Sequence, residues 1–134
     1  MGSFEEVTNN YDVVINRVNK TYSKNFALFL DASLTAIIKR GGAQAGDKTM
    51  IDTLQPAVKA AYKSRDFPLQ TALQRISESA FIGMESTKLM LSKIGRSKTY
   101  GEKTLGHLDP GSITTYLIFK YMADFVFDLD QDSL

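Results

Sequence analysis

The chain has 134 residues, a net charge of +1, 43% apolar and 23% charged residues, and no cysteine. That composition suits one ordinary globular core, and it excludes a disulfide framework, a thiolate metal site and a charge field for general nucleic-acid binding. No apolar run approaches the roughly 18 residues needed to span a bilayer, and no basic-then-apolar leader opens the chain, so a cytoplasmic protein with no membrane and no nucleic-acid partner is expected.

Apolar side chains recur three and four apart almost throughout, the spacing of amphipathic helices. Ser3 and Glu6 make a capping-box pattern ahead of the stripe Phe4, Val7, Tyr11, Val14 and Val18, which predicts a first helix to about Asn19. Phe26, Phe29, Leu30, Leu34, Ile37 and Ile38 predict a second helix that Gly41 terminates. A glycine-rich turn, Arg40 to Gly46, follows. Asp47 is placed to cap the next helix, Thr49 with Asp52 has the spacing of a helix start, and Met50, Ile51, Leu54 and Val58 predict a third helix kinked at Pro56. This turn comes near a phosphate-binding P-loop, but Asp47 intrudes between Gly46 and Lys48 and no apolar strand precedes Gly41, so that motif is rejected. By itself the turn reads as a plain helix connection.

Pro68 starts a fourth predicted helix whose stripe runs from Leu69 through Ala72, Ile76, Ala80, Gly83 and Thr87 to Leu91, ending at Gly95, with small residues at 72, 80 and 83 that let a neighbour approach closely. The fifth spans roughly Pro110 to Asp128 and is apolar nearly all round, which predicts a helix that is central or covered by a partner. Asp128, Asp130 and Asp132 read as a frayed, solvated end. The fold expected is all-α, an antiparallel bundle of about five main helices in a single domain.

Between the last two helices lies Gly95 to Ser112, punctuated by glycines 95, 101, 106 and 111 and carrying Arg96, Lys98, Lys103 and His107. Asp109 as N-cap and Pro110 in the first helical position deliver a helix N-terminus to the same place, a combination suited to a phosphate. An ordinary solvated loop is the other reading. Lys98 and Lys103 read as solvated cations, and the isolated His107 as a structural donor.

Two word-like stretches, Gly46-Asp47-Lys48-Thr49-Met50-Ile51-Asp52 with Pro56 after it, and Gly95-Arg96-Ser97, Gly101-Glu102-Lys103, Gly106-His107, Asp109-Pro110-Gly111, resemble the signature of the nucleotide-binding subunit of the dihydroxyacetone kinase family. The resemblance covers about residues 26 to 127 in order and spacing, and is to the phosphoenolpyruvate-dependent type. It implies an antiparallel barrel of eight helices with ADP or ATP at one end, of which this chain resembles the C-terminal two-thirds. It implies a dihydroxyacetone-binding kinase subunit and a phosphotransferase subunit as partners. Carried over residue by residue, it implies that Gly41 and Met50 border the adenine with Thr49 beside them. Arg96 would reach the phosphates or the transferred group, and Asp109, Pro110 and Gly111 would line the ribose and base side.

The family's aspartate-rich loop for two magnesium ions and its Gly-Gly-x-Ser-Gly phosphate loop have no counterpart here, and Asp12, Asp31, Asp47 and Asp52 are not spaced as an equivalent cluster. The expected function is therefore a shortened ADP- or ATP-binding subunit whose adenine side survives. Magnesium is expected only in the full family site. A noncatalytic scaffold binding a kinase or transcription-factor partner, and a plain helical interaction domain, are the alternatives. An incomplete barrel leaves an apolar seam, which predicts a homo-oligomer joined through the first or the fifth helix.

Overall fold

The computed structural model describes residues 4–93 and 102–132. Four α-helices account for most of them: α1 (Phe4–Gly41), α2 (Ile51–Lys63), α3 (Leu69–Ser86) and α4 (Pro110–Asp132), with a 3-10 turn at Thr87–Leu89 after α3 and a second over residues 102–104. The described residues contain no strand, and the all-α expectation holds with four main helices rather than five.

The first two predicted helices are one. Nothing between Asn19 and Phe26 breaks the chain, because the hydroxyl-bearing residues there bond without leaving the helix. Thr21 Oγ1 donates to the Arg17 carbonyl (2.9 Å) and Ser23 Oγ reaches the Asn19 carbonyl (3.2 Å), the local back-bonding that serine and threonine use inside helices. Ser23 Oγ also donates to the Phe67 carbonyl (2.7 Å), tying the middle of α1 to the α2–α3 turn. The helix ends as a glycine signal demands, but one residue later than predicted: Gly42, at φ 68°, takes the left-handed position and donates to the Ile38 carbonyl (3.1 Å).

Contacts fix the helix directions. Asp31 of α1 accepts the Tyr62 hydroxyl of α2 (2.8 Å), while Ser23 meets Phe67, so α1 and α2 run antiparallel. Gly83 lies against Asp52 and Pro56, and Phe81 packs edge-to-face on Tyr116 (5.4 Å between centroids), so α3 runs against both α2 and α4. The core between them is Ile51, Leu54, Ala57 and Ala61 of α2, Leu73, Ile76 and Ala80 of α3, Phe119 and Ala123 of α4, and Ala27, Leu30 and Leu34 of α1.

At roughly 1.5 Å per residue α1 is far longer than α2, and beyond Ser23 toward the N-terminus its apolar Val13, Val14, Val18 and Tyr22 are exposed. Helix α4 is not central. One side packs on the core, while Ile118, Tyr121 and Phe125 are each more than half exposed. Its helical geometry continues through Asp132, so the acidic residues expected to fray belong to the helix. Between α1, α2 and α4 lies an open apolar groove of about 220 Å³, lined by Phe26, Leu30, Ile37, Met50, Phe119 and Met122 among others.

The fourth predicted helix overshoots. Helix α3 stops at Ser86, and by Met90 the backbone is extended (φ −110°, ψ 150°). No glycine or proline marks this stop. A tertiary bond decides it: the buried Thr87 hydroxyl donates to the Met84 carbonyl (2.7 Å) and accepts the Asp109 N–H (3.0 Å).

Pro56 inside α2 supplies no N–H to the Asp52 carbonyl one turn back, and Gly83 of α3 sits against that carbonyl. A Cβ at Gly83 would overlap the Asp52 oxygen and come within 3.0 Å of Pro56 Cγ. The obstruction is backbone, which has no rotamer to move. Gly83→Ala is expected to lower stability by about 1–3 kcal/mol, the usual cost of overpacking, read as a lower urea midpoint with an unchanged slope.

Candidate functional site at the α2 and α4 N-termini

The turn before α2 and the connection before α4 meet at one end of the bundle. Ser112 Oγ donates to the Thr49 carbonyl (2.7 Å), and Thr53 Oγ1 lies 3.4 Å from the Ser112 carbonyl, so the first turns of the two helices are joined directly.

Each start is built by a carboxylate. Asp52, only 5% exposed, accepts the Gly46 N–H at Oδ1 (2.6 Å) and the Thr49 N–H at Oδ2 (2.9 Å), while Thr49 Oγ1 accepts the Ile51 N–H (3.2 Å). The Asp52 half is the reach back to Thr49 that the Thr49–Asp52 spacing predicts, while the Asp52 N–H donates to the Thr49 carbonyl (3.0 Å) rather than to its hydroxyl. Asp47 does not cap α2 as expected. Its carboxylate turns back to the Gln44 N–H (3.1 Å) and closes the turn instead, because Asp52 already holds the Thr49 donor. Asp109 caps α4 as predicted, accepting the Ser112 N–H at Oδ2 (2.9 Å), with Pro110 in the first helical position.

Met50 and Gly111 are neighbours. A Cβ at Gly111 would stand 3.7 Å from Met50 and 3.2 Å from Asp109 Oδ2, so Thr49, Met50, Asp109, Pro110 and Gly111 form one patch. Gly41 closes α1 one turn beyond Ile37, which lines the apolar groove together with Met50. Lys103 and His107 are exposed, and the His107 ring has no part in the bonds that organise this end. Arg96, with Gly95, Lys98 and Gly101, lies outside the described residues.

The residue that sequence reasoning passed over is Lys48. It is 3% exposed and left-handed (φ 61°), a backbone state that costs a side-chain-bearing residue about 1–2 kcal/mol. Its ammonium donates to the carbonyls of Met90 (3.2 Å), His107 (2.6 Å) and Thr104. Burial pulls its pKa below the ordinary lysine range, and the Asp109 carboxylate pulls it back up. Three carbonyl acceptors use all three donors of an ammonium. Lys48 therefore serves the protein's own backbone, which is a structural reason, beside the sequence one, that this turn is not a P-loop.

The DAK2 domain matches residues 9–124 of the chain, most of its length. The chain belongs to the DAK2-domain family. It is 37% identical over 95 residues to the ADP-binding subunit DhaL of the PEP-dependent dihydroxyacetone kinase 1 of Listeria innocua, covering 69% of this chain and 42% of that protein. To the corresponding DhaL of Escherichia coli K12 it is 31% identical over 109 residues, 80% of this chain and 51% of that protein. To a probable dihydroxyacetone kinase of Dictyostelium discoideum it is 35% identical over 114 residues, 79% of this chain and 18% of that protein. The matched stretch is thus about half, or less, of each of these relatives.

Within this DAK2 chain, the fold brings the first signature stretch against the described part of the second, residues 102–111. Asp52 holds the first of them. Asp52→Ala strips two backbone N–H groups of their charge-assisted acceptor and is expected to cost about 2 kcal/mol or more, with Asp52→Asn losing less. Thermal denaturation of both variants checks the order.

Proposed function

We propose that this chain supplies the adenine-nucleotide-binding end of a dihydroxyacetone-kinase-type phosphotransferase, holding ADP or ATP while a phosphoryl group passes toward dihydroxyacetone. The observation that carries this is the convergence of Thr49 and Met50 with Asp109, Pro110 and Gly111 at two adjoining helix N-termini, in a chain similar to ADP-binding subunits. Met50 offers a polarizable face to a flat base, and Gly111 beside it permits close approach. Gly41 borders the base from the end of α1. The N-termini of α2 and α4 favour negative charge near this end, and Arg96 supplies a guanidinium fork to the phosphates or the transferred group.

Magnesium does not fit the donors present. Among the described residues no cluster of three or more His, Cys, Asp or Glu is arranged to hold a metal, and Asp47, Asp52 and Asp109 each spend carboxylate oxygens on backbone N–H groups. No step is assigned to a metal here. Phosphoryl transfer then belongs to an assembly in which a dihydroxyacetone-binding subunit and a phosphotransferase subunit are the partners, in the cytoplasm. No described helix is long and apolar enough to cross a membrane. The apolar surface left on α1 and α4 suits a homo-oligomer of the chain, which sedimentation across a concentration series would register as a rising mass.

Isothermal titration with ADP, with and without magnesium, tests the reading: weak binding with little metal dependence is expected, and tight magnesium-dependent binding contradicts it. Arg96→Ala is expected to weaken nucleotide or partner binding by about 1–3 kcal/mol, the worth of one charge-assisted hydrogen bond, with the melting temperature nearly unchanged. A lower melting temperature with unchanged affinity removes Arg96 from the site.

A further inference from the structure

We propose that Lys48 is the positioning residue of this end: its buried ammonium ties the residues just after α3 to those just before α4, and thereby sets the start of α4, with Asp109 and Gly111, against Met50. The inference rests on the nucleotide reading above for its functional part only. The geometry is that of a clamp. Met90 lies just after α3, and Thr104 and His107 lie just before α4, so one cation bonds both sides of the connection.

The neighbouring bonds run the same way. The Gly106 N–H donates to the Lys88 carbonyl (2.7 Å), the Ser92 N–H to Thr104 Oγ1 (3.0 Å) and the Lys93 N–H to the Asp47 carbonyl (3.4 Å), so the residues flanking the clamp close around it. Only an ammonium on a flexible stem satisfies three carbonyls at one point. A guanidinium is planar and presents its donors in a fixed fork. The left-handed backbone at Lys48 is what turns the stem inward, a strained state kept because the surrounding bonds fix it.

Lys48→Gly tests the clamp cleanly, since glycine accepts the same backbone angle, and Lys48→Met removes the ammonium while keeping the stem. Amide hydrogen exchange without nucleotide reads the connection directly. Both variants are expected to exchange at least ten times faster at Leu105, Gly106 and His107, with Leu54 and Ile76 still protected, and to bind ADP at least ten times more weakly at a temperature where circular dichroism reports full folding. Unchanged exchange at the connection overturns the proposal, and so does faster exchange with unaltered ADP affinity. A uniform loss of protection through α2 and α3 also overturns it, marking Lys48 as a general stability residue. If the unmodified chain binds no ADP, the nucleotide reading falls by itself. The clamp is then judged on exchange alone, upheld by local acceleration and overturned without it.

Discussion

The structure turns on Asp52, which is used at both its ends. Its side chain gathers Gly46 and Thr49 and so builds the turn before α2. Its carbonyl, given no partner by Pro56 one turn on, faces the glycine that lets α3 come close. The two demands act on one residue. If α3 stood further out to admit a Cβ at Gly83, Ile51 and Ile76, each about 1% exposed, would lose the packing that buries them. If the carboxylate were lost, the turn that carries Lys48, Thr49 and Met50 would lose its acceptor. Core packing and site geometry therefore share a single anchor.

From that anchor the organisation spreads by backbone bonds rather than by side-chain ion pairs. The salt bridges among the described residues, Lys88–Glu85 from the end of α3 to the 3-10 turn and Lys120–Asp124 within α4, join near neighbours in sequence and are exposed, where such pairs contribute little. The buried charges do the joining. Asp52, Asp109 and Lys48 are each bonded to main-chain groups, so each fixes backbone position directly. A carboxylate at a helix start is favoured by the dipole as well as by the N–H groups it accepts. A buried ammonium has no helix dipole to help it; three carbonyls accept its donors, and the Asp109 charge offsets part of its desolvation. Asp109 thus acts twice, as cap to α4 and as counter-charge to the lysine that holds the approach to α4.

Helices were legible where a local signal and the tertiary structure agree. Pro110 with Asp109 marks the start of α4, and the period of Met50, Ile51, Leu54 and Val58 marks α2, because propensity, capping and burial point the same way there. Boundaries were misread where a tertiary bond decides. The end of α3 depends on Thr87 meeting Asp109, 22 residues away, and the middle of α1 is held by Ser23 against Phe67, 44 residues away. The Thr49–Asp52 start could be read from spacing alone. Lys48 could not, since lysine between a carboxylate and a helix start ordinarily reads as solvated, and nothing local reveals three carbonyls arriving from residues 42 to 59 positions away.

The apolar period of α4 holds as a pattern, yet one side of the helix is exposed. The same residues that make it apolar all round, Ile118, Tyr121 and Phe125, stand open to solvent, and Ile118 lines the groove together with Phe29 of α1. Periodicity reports how much of a helix seeks burial; it does not report which surface provides it. The groove between α1, α2 and α4 begins at Met50, so the open apolar side and the candidate base pocket are continuous. Whatever covers the outer faces of α1 and α4 narrows the route to Met50, which makes coverage of that seam and access to the nucleotide end a single geometric question. In this family member the clamp at Lys48 fixes one wall of that end from within, while the outer faces of α1 and α4 stand open to solvent.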